Sequence, residues 1–404
     1  MKILLSAYAC EPNKGSEPGV GWNWALNLSK DPQKDVYVLT RRNNKKVIDK
    51  HWVSHTCPVN LHFFYYDLPS IFIWAKHHGL SVNLYYEWWL IGSAHYAGKL
   101  HAKIHFDIAH HLTFGVFRNP CFLYKLQIPY MVGPFGGGEM TPHQLLPLFT
   151  RKERLREIIR DIANKLAFLN PFLHKSLNNA SLILTKTEET KLLLSKWRGK
   201  THVHLEIGIE RISKAETQRD MNTFLYIGRF TYLKGIRLLL YAFKKYAVSH
   251  PEAHLLMIGR GDMESEITQF TKENNLNVVI IPWLEQKELY KYYSTACAMV
   301  FPSLHDSSGN VVLESLSYGL PVICLDCGGP ISVLGENLKE LVVSTKRAEI
   351  DDIISEIEEK MNILVSNNIL YQAIQKKSIT RAESLIWEKT VNSSYNLFSN
   401  FLNK

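Results

Sequence analysis

Cysteine is scarce in this sequence, with six residues spread over a chain of 404. This low content excludes the disulfide framework of a small secreted domain and favours a reducing compartment. Long hydrophobic runs are also lacking, because the most apolar stretch, residues 68–94, is interrupted by Lys76 and Glu87. A membrane-spanning helix needs about 20 apolar residues, so this stretch does not predict one. The apolar run 3–9 leads into a polar loop rather than a cleavage site, which predicts a cytoplasmic protein.

Two motifs of nucleotide-binding proteins are missing as well. No Asp-x-Asp occurs, so the chain offers no such carboxylate pair to hold a divalent metal on a diphosphate. The glycines after the first apolar run, Gly15, Gly19 and Gly21, have the spacing G-x3-G-x-G rather than the dinucleotide fingerprint G-x-G-x-x-G. The sequence therefore disfavours an NAD-dependent oxidoreductase.

Positive charge is present in excess, but in one half only. The net charge is +9, and residues 1–200 hold 26 Lys and Arg against 14 Asp and Glu. Residues 201–404 have a deficit of three positive charges. Such asymmetry indicates an anionic surface as partner, with membrane phosphates and nucleic acid as the candidates.

Short apolar runs alternate with helical patterns along the chain, which is typical of parallel α/β architecture. The predicted strands of the first half are residues 2–8, 36–40, 61–66, 107–112, 129–133 and 181–185. Those of the second half are residues 223–228, 254–259, 277–281, 297–302 and 321–325. The pattern predicts two doubly wound domains, 1–205 and 206–384, with the polar segment 211–222 as a linker. The terminal helix, about 385–404, can pack on the second domain or return to the first.

Residues 226–235 place a glycine and two cations between a predicted strand and a helix. Gly228 permits close backbone approach, Arg229 offers a fork of donors and Lys234 a mobile positive charge. Near a helix N-terminus both cations can converge on a diphosphate. Taken alone, a solvated basic turn explains these residues equally well.

A second polar constellation, residues 301–322, follows the strand at 297–302. Asp306 lies in its loop and Glu314 in the helix beyond, and carboxylates of this kind accept hydroxyl pairs from a sugar or a ribose. Ser308 lies in the same loop, and the helix-start amides that can face phosphate belong to Gly309, Asn310 and Val311. The plainer alternative is that Asp306 caps a turn and Glu314 is a surface residue.

Together, GRFTYLKG and the later PSLHDSSGNVVLESLSYGLPVI resemble the donor site of the retaining glycosyltransferases of family four. That family has a Glu, seven residues, Glu signature, and here Asp306 replaces the first Glu while Glu314 occupies the second position. The motifs cover the C-terminal half specifically and the N-terminal half more loosely.

The resemblance implies the GT-B fold, in which two Rossmann-like domains face each other across a cleft that holds a nucleotide sugar. It implies transfer with retention from a UDP-sugar to a saccharide or lipid-linked saccharide acceptor in bacterial surface polysaccharide synthesis. It implies that Arg229 and Lys234 stabilise the leaving diphosphate, that Asp306 holds sugar hydroxyls and that Glu314 holds the ribose diol. Gly15, Gly19 and Gly21 would face the donor phosphates. No metal and no nucleic acid are expected.

Candidates in the N-terminal half are weaker. His110 and His111 end the fourth predicted strand, so by alternation one faces the packing and the other the cleft mouth. Glu139 follows three glycines after the fifth strand. Many family members have a histidine at the end of that strand, contacting the donor sugar, where this chain has Gly133. His111 and then Glu139 are the expected substitutes.

Residues 151–175 form an amphipathic helical pattern with seven basic and three acidic residues. It is either a surface helix that packs its apolar face on the first domain or a peripheral membrane element beside the acceptor site. The aromatic stretch 85–96 favours the membrane alternative, since Trp and Tyr are common at bilayer interfaces. Two functional rivals remain: a nucleotide-sugar 2-epimerase of the same fold, and a non-catalytic glycosyltransferase-like scaffold.

Overall fold

The computed structural model describes residues 1–79, 81–210, 212, 218–346 and 349–402. The chain forms two compact units. The first comprises Met1–Gly138, Ile162–Ile207 and Trp387–Lys404, and the second comprises Glu139–Asp161 and Gly208–Ile386.

The first unit is built on a seven-stranded parallel sheet with the order β3-β2-β1-β4-β5-β6-β7. Its strands are β1 (Lys2–Ser6), β2 (Asp35–Arg41), β3 (Leu61–Tyr66), β4 (Ile108–His111), β5 (Tyr130–Phe135), β6 (Leu182–Thr185) and β7 (Thr201–Val203). Its helices are α1 (Ser16–Ser29), α2 (Lys45–Ser54), α3 (Ser70–His77), α4 (Val82–Ile104), α6 (Pro171–Asn179), α7 (Glu188–Leu193) and α15 (Trp387–Leu402). Helix α5 (Arg151–Ala167) has its first eleven residues in the second unit and the rest in the first.

The second unit has a six-stranded parallel sheet with the order β10-β9-β8-β11-β12-β13. Its strands are β8 (Asp220–Ile227), β9 (His254–Ile258), β10 (Val278–Ile281), β11 (Ala296–Phe301), β12 (Val322–Leu325) and β13 (Val342–Val343). Its helices are α8 (Ile236–Ser249), α9 (Glu264–Glu273), α10 (Gln286–Thr295), α11 (Asn310–Ser317), α12 (Gly328–Leu334), α13 (Ile350–Ser366) and α14 (Asn368–Ser384).

Central strands with helices on both faces explain why the apolar runs are continuous rather than alternating. Every residue of β5 and every residue of β11 is buried. All eleven predicted strands are present, with ends that differ by at most three residues. Among the described residues, the strands that the sequence does not predict are β7 and β13, which are edge strands of three and two residues and too short to give a pattern.

The structural units differ from the predicted domain ranges in one segment. Glu139–Asp161 groups with the second unit although its position in the sequence lies inside the predicted first domain. The terminal helix α15 groups with the first unit and contacts α1, so of the two alternatives the structure has the chain return to the first unit. Six of the twelve residues of the predicted linker 211–222 lie outside the described residues, and its last three, 220–222, belong to β8 rather than to a linker. Within the described ranges, no helix has the length and hydropathy needed to cross a bilayer.

Candidate active site

In each sheet the chain adds strands first towards one edge and then towards the other, so the strand order reverses at one point. The loops that follow the two strands on either side of this point lead away in opposite directions. In the second unit the reversal lies between β8 and β11, and in the first between β1 and β4. Ligands of open α/β sheets bind beyond the carboxyl ends of strands at such a point. Both polar constellations of the second half follow β8 and β11, so their convergence is a consequence of the topology.

Lys234 and Asp306 form an ion pair at this edge of the second sheet. The Lys234 Nζ lies 2.7 Å from the Asp306 Oδ2 and also donates to the His305 carbonyl at 3.1 Å. Both side chains are largely buried, at 11% and 19% exposure. Charge-assisted hydrogen bonds of this kind are stronger than neutral ones, and low exposure reduces their screening by water.

Gly235 allows the two loops to approach closely enough for this pair to form. It has φ +66° at the start of α8, and a Cβ there would lie 1.9 Å from the Pro302 carbonyl oxygen. Only glycine fits such a position without backbone displacement. The loop after β11 is held in turn by its own backbone, since the amides of Leu304 and His305 both donate to the Leu233 carbonyl.

The second oxygen of Asp306 caps its own loop. The Asp306 Oδ1 accepts from the amides of Ser308 at 3.1 Å and Gly309 at 2.8 Å. Burial acts to raise the pKa of this carboxyl, but the Lys234 ammonium and the two amides outweigh it and hold the pKa below its usual value. This geometry corrects one expectation, because the Gly309 amide is already occupied. The amides of Asn310 and Val311 remain at the helix start, where no preceding turn supplies carbonyl partners.

Glu314 is held from the neighbouring helix α10. The Tyr293 hydroxyl donates to its Oε2 at 2.7 Å, and the Gln286 amide donates to its Oε1 at 3.2 Å. Burial raises the pKa of Glu314 although both hydrogen bonds act in the opposite direction. Glu314 is therefore an oriented, half-buried carboxylate rather than the surface residue of the plainer alternative.

Arg229 is exposed directly after β8, next to the half-buried Gly228. The backbone on either side is fixed, since the Gly228 amide donates to the Ile258 carbonyl and the Phe230 amide to the Arg260 carbonyl. The sequence reading missed the second of these two paired loops, GRGD (259–262). The glycines at its start were the available signal, since Cβ atoms at Gly259 and Gly261 would lie about 2 Å from carbonyl oxygens of the first loop.

A buried polar network next to Asp306 was also missed. The Glu157 carboxylate accepts from Thr141 at 2.6 Å and from the Tyr232 hydroxyl at 3.1 Å, and lies 3.1 Å from the His305 Nε2. Arg160 pairs with the same carboxylate. Burial would raise the pKa of Glu157, but these partners lower it to about 2. The network ties the segment Glu139–Asp161 to the loop that carries Asp306.

His110 and His111, the two strand-end histidines of the first unit, are both buried. The ring of His110 contacts the Gly133 carbonyl at 2.8 Å and the Tyr395 hydroxyl at 3.1 Å. Burial lowers the pKa of His110 to about 3, and that of His111 to about 4. Both rings are therefore neutral near pH 7.

His111 makes two further polar contacts, to the Tyr86 hydroxyl at 2.9 Å and to the Ser6 hydroxyl at 3.2 Å. Alternation along the strand predicts that one histidine faces the packing and the other a cleft mouth. The two rings do have different partners, but neither ring is exposed, because both histidines are buried.

The glycines after β1 also differ from expectation. Only Gly15 lies in the loop, while Gly19 and Gly21 lie inside α1. A Cβ at Gly19 would meet the Lys14 carbonyl oxygen at 2.0 Å, and one at Gly21 would meet the Ala9 carbonyl oxygen at 2.1 Å. These two glycines therefore let the loop fold back on the helix, a steric role that the sequence spacing did not indicate.

An ion cluster under this loop was missed as well. The buried Lys186 Nζ lies 2.6 Å from Glu206 and 3.2 Å from Glu17. Burial acts to lower the pKa of Lys186, but the two carboxylates raise it above its usual value. Glu17 also accepts from the Phe114 amide at 2.8 Å. The cluster fixes the start of α1 to the ends of β4 and β6.

Glu139, the remaining sequence candidate, is buried and lies in the second unit by its contacts. In the part of the chain that the structure describes, no three His, Cys, Asp or Glu residues are grouped so as to hold a metal ion.

Comparison with known proteins gives a family match for the second half of the chain. Residues 209–381 match the family described as glycosyl transferases group 1. An uncharacterised glycosyltransferase of Methanocaldococcus jannaschii is 28% identical over 183 residues, which are 41% of this chain and 44% of that protein. The capsular polysaccharide biosynthesis glycosyltransferase CapM of Staphylococcus aureus is 28% identical over 181 residues, covering 43% of this chain and 45% of CapM. The chain thus spans less than half the length of these two relatives.

Solved structures are similar over nearly the whole chain. A sucrose-phosphate synthase from Thermosynechococcus elongatus superposes with a TM-score of 0.66 at 18% identity, covering 100% of this chain and 99% of that one. HepE of Anabaena, solved in complex with UDP, has a TM-score of 0.61 at 13% identity, covering 99% and 100%. At such identities the likeness shows the fold alone. The chain therefore has the GT-B fold of two parallel-sheet Rossmann-like units, and its residues 209–381 match the family model of the group 1 glycosyl transferases.

Proposed function

We propose that this protein transfers a sugar, with retention of anomeric configuration, from a UDP-sugar to a saccharide or lipid-linked saccharide acceptor in bacterial surface polysaccharide synthesis. The proposed site for the donor is the carboxyl edge of β8 and β11, and no metal takes part. Two findings support the class of substrate: CapM is named for capsular polysaccharide biosynthesis, and HepE was solved with UDP.

The observation that carries the proposal is the Lys234–Asp306 ion pair at the reversal of the second sheet, with Arg229 exposed on the loop after β8. A departing nucleoside diphosphate gains negative charge at the bond that breaks. Fixed positive charges at that position stabilise the transition state, because they need no reorganisation during the reaction. Asp306 keeps Lys234 in place before the substrate arrives.

The two carboxylates have separate proposed tasks. Each carboxylate oxygen has two lone pairs, so Asp306 and Glu314 can accept hydroxyl donors in addition to their present partners. Asp306 holds hydroxyls of the transferred sugar, and Glu314 holds the ribose diol. Tyr293 and Gln286 orient Glu314 for this purpose.

The acceptor hydroxyl attacks from the face that the diphosphate leaves, so the new bond has the configuration of the old one. Its proton passes to the departing phosphate oxygen, and no protein base is required. His110 and His111 are neutral and engaged in packing, so neither is proposed to move this proton.

Thermal shift with a panel of nucleotide sugars tests the proposal first, since a ligand that binds the folded state raises apparent stability. The donor found in this way is then incubated with and without saccharide acceptors, and products are analysed by mass spectrometry and NMR. An α-linked product that requires the acceptor supports the proposal. An isomerised sugar from the donor alone would assign the epimerase activity instead, and binding without turnover would assign the scaffold.

A further inference from the structure

Helix α5 packs against the protein through its polar side and exposes its apolar side. At about 100° per residue, Glu153, Glu157, Arg160 and Asn164 fall on one face. Glu157 and Asn164 are buried, and Glu153 and Arg160 are half-buried. This face is held by polar contacts: Arg237 lies 2.8 Å from Glu153, and Asn164 donates to the Gly137 carbonyl at 3.1 Å.

The opposite face of α5 and the turn after it carry six large apolar side chains that are 49–76% exposed. They are Leu155, Ile158, Ile159, Ile162, Leu166 and Leu169. Surface helices of water-soluble proteins place such a stripe against the core. The sequence-based alternative in which this stripe packs on the first domain is therefore wrong.

The exposed charged side chains of α5 are all basic. Lys152 and Arg156 lie on one side of the apolar stripe, and Arg154 and Lys165 lie on the other, all of them exposed. None of the three acidic residues of the helix is exposed, since Glu157 is buried, Glu153 is paired with Arg237 and Asp161 is half-buried. A helix that lies in the plane of an anionic bilayer surface has this arrangement: its apolar stripe faces the acyl chains, and the basic rows on both sides of the stripe contact the lipid phosphates.

A second exposed apolar set lies in the first unit and includes two tryptophans. Ile71 and Trp74 of α3 and Trp88 and Ile91 of α4 are exposed. Trp88 packs on Phe72, which borders the buried aromatic cluster of Tyr86, Trp89 and Phe122. Phe172, exposed at the start of α6, packs on Phe122 with ring centroids 5.9 Å apart. Exposed tryptophans are favoured at bilayer interfaces, so this set fits the same occupant.

We infer that the exposed face of α5, with the turn that follows it, is a docking surface for an anionic lipid bilayer. The apolar stripe enters the boundary between headgroups and acyl chains, and the flanking cations contact lipid phosphates. The inference goes beyond the proposed function, since it does not depend on which sugar is transferred.

Flotation with phosphatidylcholine vesicles, with and without phosphatidylglycerol, tests this surface. The wild-type protein should float with vesicles that contain phosphatidylglycerol at low salt, and added salt should weaken binding. Replacing Leu155, Ile159 and Leu166 with Ser should reduce the bound fraction by more than about tenfold, because three apolar side chains lose their burial in lipid. The matched control replaces Val53, Val248 and Ile369 with Ser, three helical residues of 84–87% exposure on other surfaces, and should leave binding unchanged.

Charge reversal provides the second arm. The double variant Lys152→Glu with Arg156→Glu should reduce the vesicle-bound fraction by at least about tenfold. The control double variant Lys244→Glu with Lys272→Glu, at exposed positions of α8 and α9, should leave the bound fraction unchanged. Arg160 is unsuitable for this purpose because it belongs to the buried Glu157 network. Thermal shift by UDP is measured on every variant and reports on the proposed donor site separately.

Absence of vesicle binding at low salt overturns the inference, and so does binding that the apolar triple variant leaves unchanged. Concentration-dependent dimerisation that the same triple variant abolishes also overturns it, since the face would then belong to a second copy of the chain. In each of these cases a normal UDP response would leave the proposed function standing.

Discussion

Lys234 carries the positive charge on which the proposed leaving-group stabilisation depends. Lys234→Ala should lower kcat/KM about ten- to a hundredfold, because a charge-assisted contact is worth roughly 1.5–3 kcal/mol. Steady-state kinetics with the donor identified by thermal shift measure the effect. Lys244→Ala, an exposed lysine on α8, is the control and should be silent. Unchanged kinetics in both Lys234→Ala and Arg229→Ala would remove the donor site from this loop.

His110 and His111 make stability depend on pH. The folded-state pKa values of these histidines, about 3 and about 4, lie below the unfolded value of about 6.5. The free energy of unfolding is therefore unaffected by their protonation above about pH 6.5, and it falls as the pH is lowered from there towards the folded-state pKa values. Each ring should contribute a slope of about 1.4 kcal/mol per pH unit between roughly pH 6 and 4. Urea unfolding across this range measures it. His110→Gln should flatten the dependence, and His95→Gln, on an exposed position of α4, should not.

At the scale of elements, the contact between α1 and the loop before it depends on glycine. Gly21→Ala would gain about 1 kcal/mol of helix propensity but places a methyl group 2.1 Å from a carbonyl oxygen. Overpacking of this kind costs about 1–3 kcal/mol, so the variant should unfold at lower temperature. Gly15→Ala is the matched comparison, because nothing lies within 4 Å of its Cβ, and it should change stability by less than about 1 kcal/mol. Equal melting temperatures for the two variants would contradict this account.

Arg237 of α8 anchors the segment Glu139–Asp161 within the second unit. It contacts Glu153 at 2.8 Å, Glu266 at 2.6 Å and the Leu148 carbonyl at 2.7 Å. Arg237→Ala should destabilise the unit by roughly 1–3 kcal/mol and speed trypsin cleavage near the start of α5. Lys287→Ala breaks an exposed pair with Glu285 and should have no measurable effect, because exposed ion pairs contribute little. Cleavage rates that do not differ would show that the anchor lies elsewhere.

For the whole molecule, sugar transfer should survive excess EDTA. The positive charges of Arg229 and Lys234 and the amides at the start of α11 are proposed to stabilise the diphosphate without a divalent ion. Initial rates with and without chelator measure this, with a magnesium-dependent transferase treated in parallel as a control. Loss of activity that is restored by magnesium or manganese would contradict the proposal that no metal takes part.

The sequence by itself determined the architecture and the placement of the donor-site candidates. Apolar runs of strand length, separated by helical patterns, specify parallel sheets covered on both faces, because only such sheets bury strands completely. Parallel strands bring their carboxyl ends to one edge. Lys234 and Asp306, 72 positions apart, both follow strands and are therefore expected at the same edge of the sheet, whereas their contact depends on β8 and β11 being neighbours in the strand order.

Only the tertiary structure decided which face each element buries and which distant groups satisfy its polar atoms. The sequence pattern of α5 defines a polar and an apolar face but does not show which of them is buried. In the structure the polar face is buried, because the Glu157 carboxylate has four partners there. His305 contacts a residue 164 positions away, and His110 one 285 positions away. Such partners leave no periodic signal, because a buried polar group needs one well-placed partner rather than a repeating pattern.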